Sequence, residues 1–176
     1  MSLALVLDHR ADVDPERDAV SDGSQSLTNA QLLDRARGAA RHLKDLGVRS
    51  GDVIALKLTN RVEFVVVLFA GWRLGAAITP MNPSLTDVEV DRQLDDSRAR
   101  FLVAEDGATT MSTRPRSPSA ISTKHSAGPD PTEPPVSSAL ALLIYTSGTT
   151  GVSKGLMLDH ANLDAMFAGL VISHSA

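Results

Sequence analysis

The sequence predicts an α/β fold built on a mainly parallel sheet. Candidate helices and strands alternate from residue 3 to residue 103, the order a parallel sheet with crossover helices requires. Two Thr-x-x-Gln/Glu capping boxes, at Thr28 and Thr86, open helical stretches. Gly47 and Gly75 stand where two of those helices should stop. With 176 residues, 43% of them hydrophobic, the chain is long enough for one domain with a core of its own.

The elements follow in order. Residues 3–11 read as a short helix ahead of Asp14-Pro15. Residues 19–21 read as a strand, Asp22-Gly23 as a turn, and residues 25–27 as the returning strand of a hairpin. From Thr28, Leu32, Ala36, Ala39, Leu43 and Leu46 recur at spacings of 4, 3, 4 and 3, which is one helical face. His42 lies off that face and reads as solvated. Residues 53–58 form a strand run. Asn60 and Glu63 mark the next helix start, and the apolar stretch from Phe64 to Leu74 reads as a buried helix, with Trp72 as core packing. A short strand over residues 76–79 ends at Pro80-Met-Asn-Pro83. Thr86 and Glu89 open a helix with Val90 and Leu94 inward, and residues 101–103 are the following strand. Near the C-terminus, residues 156–158 read as a strand and residues 160–173 as a helix. Leu163, Met166, Phe167, Leu170 and Val171 share one face of that helix, and Asp159, His160 and Asn162 cap its start.

Residues 107–137 differ from this pattern. They hold six of the nine prolines among Ser and Thr, and this composition predicts a disordered linker. Arg114, Arg116, Lys124 and His125 there read as solvated linker charges rather than a binding patch. The expected organisation is residues 1–106 and 138–176 as two portions of one α/β domain, with the linker between them.

Composition excludes several functions. The net charge is −4 and no basic block occurs, which disfavours nucleic-acid binding. No cysteine is present, which excludes disulfide and thiolate chemistry and fits a reducing, cytoplasmic location. No apolar run is long enough for a transmembrane segment.

The chemistry concentrates in Tyr145-Thr-Ser-Gly-Thr-Thr-Gly-Val-Ser-Lys-Gly155, which follows the apolar run Leu140-Ala-Leu-Leu-Ile-Tyr145. A strand delivering a loop rich in Gly and hydroxyl residues suits an anion. The glycines allow tight backbone turns, and backbone N–H groups in such turns converge on a phosphate. The hydroxyls of Thr146, Ser147, Thr149 and Thr150 add donors, and Lys154 adds a point charge. It is not a Walker loop. Counting from Gly148, Lys154 fits that pattern, but Ser153 stands where its second Gly should be and Gly155 where its hydroxyl should be.

The string resembles the phosphate loop of the adenylate-forming enzymes: acyl-CoA synthetases, luciferases and the adenylation domains of peptide synthetases. Their loop reads Tyr-Thr-Ser-Gly-Thr-Thr-Gly-x-Pro-Lys-Gly, and this chain departs from it at Ser153. Ser26-Leu-Thr-Asn-Ala-Gln-Leu-Leu33 resembles the family's first motif. Residues 71–83 with Leu94-Asp-Asp-Ser97 resemble its second, read here as scaffold. Met81-Asn82-Pro83 is more similar to acyl-CoA synthetases, including fatty-acid–CoA ligases, than to amino-acid adenylation domains. The resemblance implies the large N-terminal domain of that family. It implies ATP, Mg2+ and coenzyme A as its small molecules and an acyl-adenylate as intermediate. Thr146, Ser147, Gly148, Thr149, Thr150, Gly151 and Lys154 would hold the β- and γ-phosphates. It assigns no catalytic residue and no metal ligand to these 176 residues, because the family's magnesium, adenine and ribose motifs and its catalytic lysine have no counterpart here. The expectation is a truncated member, inactive alone and prone to self-association through exposed edges. The competing readings are a non-catalytic remnant or interaction fragment, and a piece of an amino-acid adenylation domain.

Overall fold

The computed structural model describes residues 2–105, 132, 135–146 and 154–173. A 3-10 turn, Leu3–Leu5, leads into α1, Val6–Val13, so the first helix begins later and runs further than its apolar residues suggest. Strands β1, Asp18–Ser21, and β2, Ser26–Thr28, pair antiparallel as a hairpin. Thr28 then caps α2, Asn29–Asp45, with both bonds of the capping box in place. At the far end the Gly47 N–H donates to the Lys44 carbonyl (2.9 Å) and the Val48 N–H to the Leu43 carbonyl (3.0 Å), with Gly47 at φ 91°. That paired closure satisfies carbonyls the helix would leave open, and it needs the left-handed backbone glycine permits.

β3, Val53–Lys57, is followed by α3, Val62–Arg73. The residue at the N-cap of α3 is Arg61, not Asn60, and its side chain makes no capping bond. The cap comes from the hairpin turn instead: Asp22 Oδ2 accepts from the Val62 N–H (3.0 Å), while Oδ1 accepts from the Ser24 and Gln25 amides. These donors hold the Asp22 carboxyl far below the usual carboxylate range, the Val62 amide most of all. Gly75 (φ 68°) closes α3 with the same paired bonds that Gly47 makes.

β4, Ala77–Pro80, leads to α4, Asp87–Ser97, opened by the Thr86–Glu89 capping box. α4 ends on Arg98 at φ 54°, a left-handed position taken by a residue with a Cβ. β5, Phe101–Ala104, follows. After the interval 107–137, of which only Thr132 and residues 135–137 are described, come β6, Leu140–Thr146, β7, Lys154–Asp159, and α5, His160–Ser173.

The main sheet has the order β5-β3-β4-β6-β7. Its first four strands are parallel and β7 runs antiparallel to β6. Ile78 of β4 pairs with Leu142 of β6, so the residues on either side of the interval share one sheet. Alternate residues face two cores. Ile54, Leu56, Ile78, Phe101 and Val103 pack with α1, α2 and α3, while Ala55 and Leu102 pack under Val90 and Leu94 of α4. Cover on both faces is why these strands read as continuous apolar runs.

Two expected helix faces need correction. Leu32, Ala36, Ala39 and Leu43 are buried in α2, but Leu46 is 40% exposed because it is the C-cap, past the last packed turn. In α5 only Leu163 is buried as expected; Met166 and Phe167 are 59% and 43% exposed. The first turn of α5 is tied down by the Leu3 N–H, which donates to Asp164 Oδ1 (2.7 Å). Leu170 and Val171 fall outside the residues whose side chains are described.

Candidate functional site

Because β3, β4, β5 and β6 are parallel, their carboxyl ends share one edge of the sheet. In open α/β sheets ligands bind outside that edge. The Gly- and Thr-rich stretch leaves the sheet there, from the end of β6. Thr146 is the last residue of β6 and is exposed; Lys154 is the first residue of β7, and the two are cross-strand partners. Lys154 therefore does not close a free loop before a strand at residue 156, as the sequence suggests. It belongs to a strand that starts two residues earlier, because its backbone is in register with Thr146. Ser147, Gly148, Thr149, Thr150 and Gly151 lie outside the described residues.

Three contacts fix the hairpin that carries this stretch. The Trp72 indole N–H donates to the Ala141 carbonyl of β6 (3.0 Å), so Trp72 is core packing as its sequence context suggests. The Tyr145 hydroxyl donates to Asp96 Oδ2 on α4 (2.6 Å). Partial burial, and then the hydrogen bond to Asp96, push the Tyr145 phenol well above its ordinary value. Across the pair, Tyr145 lies over Gly155: a Cβ built on Gly155 would meet Leu143 Cδ1 at 3.1 Å and the Tyr145 ring at 3.5 Å.

At the other end of β7, Asp159 and Asn162 cap α5 reciprocally: Asp159 Oδ1 accepts from the Asn162 N–H (2.7 Å), and Asn162 Oδ1 accepts from the Asp159 N–H (3.2 Å). The Ala161 N–H finds the Ser137 carbonyl (2.9 Å). His160 is 1% exposed, with no hydrogen-bond partner on either ring nitrogen among the described residues, and packs edge-on against Trp72 at 5.6 Å. Burial lowers its pKa, opposed by the nearby Asp164 and Asp159 carboxylates. It is a packing residue of the α5 start.

Beside β3 on the same edge, Lys57 Nζ donates to the Leu85 carbonyl (3.0 Å), and the amide and hydroxyl of Thr59 both donate to Glu105. Among the described residues no group of three or more His, Asp or Glu side chains converges on a possible metal position. A cavity of about 730 Å³ opens among α1, β1, α2, α3 and Phe167 of α5. Among the described residues, none of Tyr145, Thr146, Lys154 and Gly155 lines it. The residue the sequence reading undervalued is Asp96. Its motif was legible, but nothing local signals that it meets a tyrosine 49 positions later.

A doubly covered, mostly parallel sheet of this order defines an α/β domain. The AMP-binding enzyme family matches residues 7–175, and the chain belongs to that family. It is 36% identical over 159 residues to 2-succinylbenzoate–CoA ligase of Geobacillus kaustophilus, an alignment covering 89% of this chain and 32% of the relative. It is 32% identical over 167 residues to malpinin synthetase of Mortierella alpina, covering 91% of this chain and 2% of that protein. The fold superposes on the o-succinylbenzoate CoA synthetase of Bacillus subtilis, solved with its acyl-adenylate intermediate. The TM-score is 0.81 at 30% identity, over 97% of this chain and 46% of that one. The chain thus spans about a third of the length of the curated CoA ligase it matches. Among the described residues no helix is long and apolar enough to cross a membrane.

Proposed function

We propose that this chain carries the pyrophosphate-holding part of an AMP-forming acid–CoA ligase. The observation that supports this most is the pairing of Thr146 with Lys154, which brings both ends of the Gly-Thr stretch together at the carboxyl edge of the sheet. In this reading Thr146, Ser147, Gly148, Thr149, Thr150, Gly151 and Lys154 donate hydrogen bonds and positive charge to the β- and γ-phosphates of ATP. When a carboxylate attacks the α-phosphate, negative charge accumulates on the departing pyrophosphate, and fixed donors stabilise it. In the whole ligase the acyl-adenylate then passes to coenzyme A. Magnesium, when bound, would neutralise phosphate charge; among the described residues no group of three or more His, Asp or Glu side chains converges to hold it.

The acid is a carboxylate. The similarity to a 2-succinylbenzoate–CoA ligase favours an aromatic acid over the fatty acid suggested by Met81-Asn82-Pro83. The domain organisation we favour remains residues 1–106 and 138–176 as one sheet-bearing unit with residues 107–137 inserted. Binding of MgATP and of pyrophosphate to the 176-residue chain tests the phosphate assignment. Lys154→Ala should weaken binding about tenfold, the order of one charged hydrogen bond. Lys124→Ala should leave it unchanged. Equal effects of the two changes would remove the assignment. Acid-dependent pyrophosphate exchange by this chain alone should be undetectable, since a leaving pyrophosphate needs several preorganised groups together. Observed exchange would show that these residues suffice.

A further inference from the structure

The two ends of the phosphate stretch are cross-strand partners, and β7, which carries one of them, has one strand neighbour among the described residues. Tyr145 is placed to hold them. It precedes Thr146, its ring lies over Gly155, and Gly155 follows Lys154. A Cβ at residue 155 would crowd Leu143 Cδ1 at 3.1 Å and touch the Tyr145 ring at 3.5 Å, so glycine keeps the ring close to the strand backbone there. Such an aromatic laid on a cross-strand glycine fixes register. The hydroxyl end of the same ring is held by Asp96 at 2.6 Å, the length of a hydrogen bond to an ionised carboxylate. α4, which supplies Asp96, is anchored in the second core through Val90 and Leu94.

We propose that Tyr145 is a positioning residue for the phosphate stretch. Its ring packs against Gly155, beside the Thr146–Lys154 pair, and its hydrogen bond to Asp96 ties that end of the two strands to α4. This rests on the phosphate assignment above and goes beyond it. Asp96 touches no phosphate; it acts through Tyr145. The pair therefore couples the second core to the donors, and its loss weakens ligand binding without unfolding the chain.

Pyrophosphate affinity, amide hydrogen exchange and thermal unfolding of the full 176-residue chain test the idea together. Tyr145→Phe keeps the ring and removes the hydrogen bond; Asp96→Ala removes the same bond from the other side. Each should weaken pyrophosphate binding about fivefold, and the double variant no further, because one interaction is lost in all three. Asp96→Asn retains an acceptor for the phenol and should stay within about twofold of the parent. Without ligand, Tyr145→Phe should speed exchange at the Lys154 and Gly155 amides and leave the Ile54 and Ile78 amides unchanged. Additive losses in the double variant, or unchanged exchange at Lys154 and Gly155, would overturn the proposal. If Lys154→Ala weakens binding and Tyr145→Phe does not, the positioning role fails while the phosphate assignment stands. If neither does, the assignment fails and this role with it.

Discussion

The body of the sheet and the hairpin beside it are held by different physics. β3, β4 and β5 lie between helices on both faces, and Ile54, Leu56 and Ile78 are fully or almost fully buried. Most ends of their helices rest on local devices, two capping boxes and two glycine closures, each made by residues close in sequence; the start of α3, capped by Asp22, is the exception. β7 and α5 show the opposite. Leu156, Met157, Met166 and Phe167 are all more than 40% exposed, and what holds the hairpin comes from far away in the chain: Trp72 to Ala141, Tyr145 to Asp96, Leu3 to Asp164. A body built on local signals and two-sided burial should unfold as a unit. A hairpin held by a few long-range bonds should loosen first, and that hairpin carries the two ends of the stretch proposed to hold phosphate.

The largest expected contrast is between Leu43, fully buried, and Met157, 65% exposed. Leu43→Ala should cost about 2–5 kcal/mol in urea unfolding. Met157→Ala should change it by no more than about 0.5 kcal/mol. Similar losses at the two sites would erase the distinction between the regions.

Next comes Trp72→Phe. It leaves the buried Ala141 carbonyl without its indole donor and should cost about 1–3 kcal/mol. Hydrogen exchange should rise in β6 and the start of α5 more than in β3. A uniform rise would mean that hairpin and body unfold together.

A pH dependence specific to the hairpin follows from His160. Its folded pKa lies below the ordinary 6.5, so above that pH the imidazole is neutral in both states and has no effect. As pH falls below 6.5 the unfolded chain takes up this proton first, and stability drops until the folded pKa is passed. Trp72 is the one tryptophan of the chain and lies against His160, so its fluorescence reports on the contact directly. His160→Phe should flatten the stability profile just below pH 6.5. The lowered carboxylates Asp22, Glu89 and Glu105 act in a lower window: their contribution is present above their ordinary values of 3.8 to 4.5 and is lost as pH falls through the folded values. A flat parent profile between pH 6.5 and 5 would contradict the buried, neutral imidazole.

The smallest effects belong to helix ends of the body. Thr86→Ala should cost about 1 kcal/mol through the lost cap. Arg98→Gly should gain a few tenths to about 1 kcal/mol by relieving a left-handed backbone. Both are read as shifts in the urea midpoint at constant slope.

The same contrast governs what the sequence reveals. The capping boxes at Thr28 and Thr86 and the stops at Gly47 and Gly75 were legible because each signal and its partner lie within a few residues. The α3 cap was misplaced to Asn60 because its acceptor, Asp22, comes from a turn 40 positions earlier. β7 starts two residues earlier than its composition suggests because pairing with Thr146 extends it back to Lys154. Met166 and Phe167 kept a helical period, yet period alone cannot say whether anything covers that face. For the Gly-Thr stretch, the residue types suggest an anion site; the pairing of Thr146 with Lys154 and the Tyr145–Asp96 bond required three-dimensional contacts.

The central claim is that the β6–β7 hairpin holds phosphate. The most direct test is an amide NMR titration of the 176-residue chain with pyrophosphate. The account predicts that the Thr146, Lys154 and Gly155 resonances move together along one binding curve, and that those of Leu3, Val20 and Phe69, around the separate cavity, stay in place. Shifts centred on that cavity, with the hairpin resonances unmoved, would contradict it.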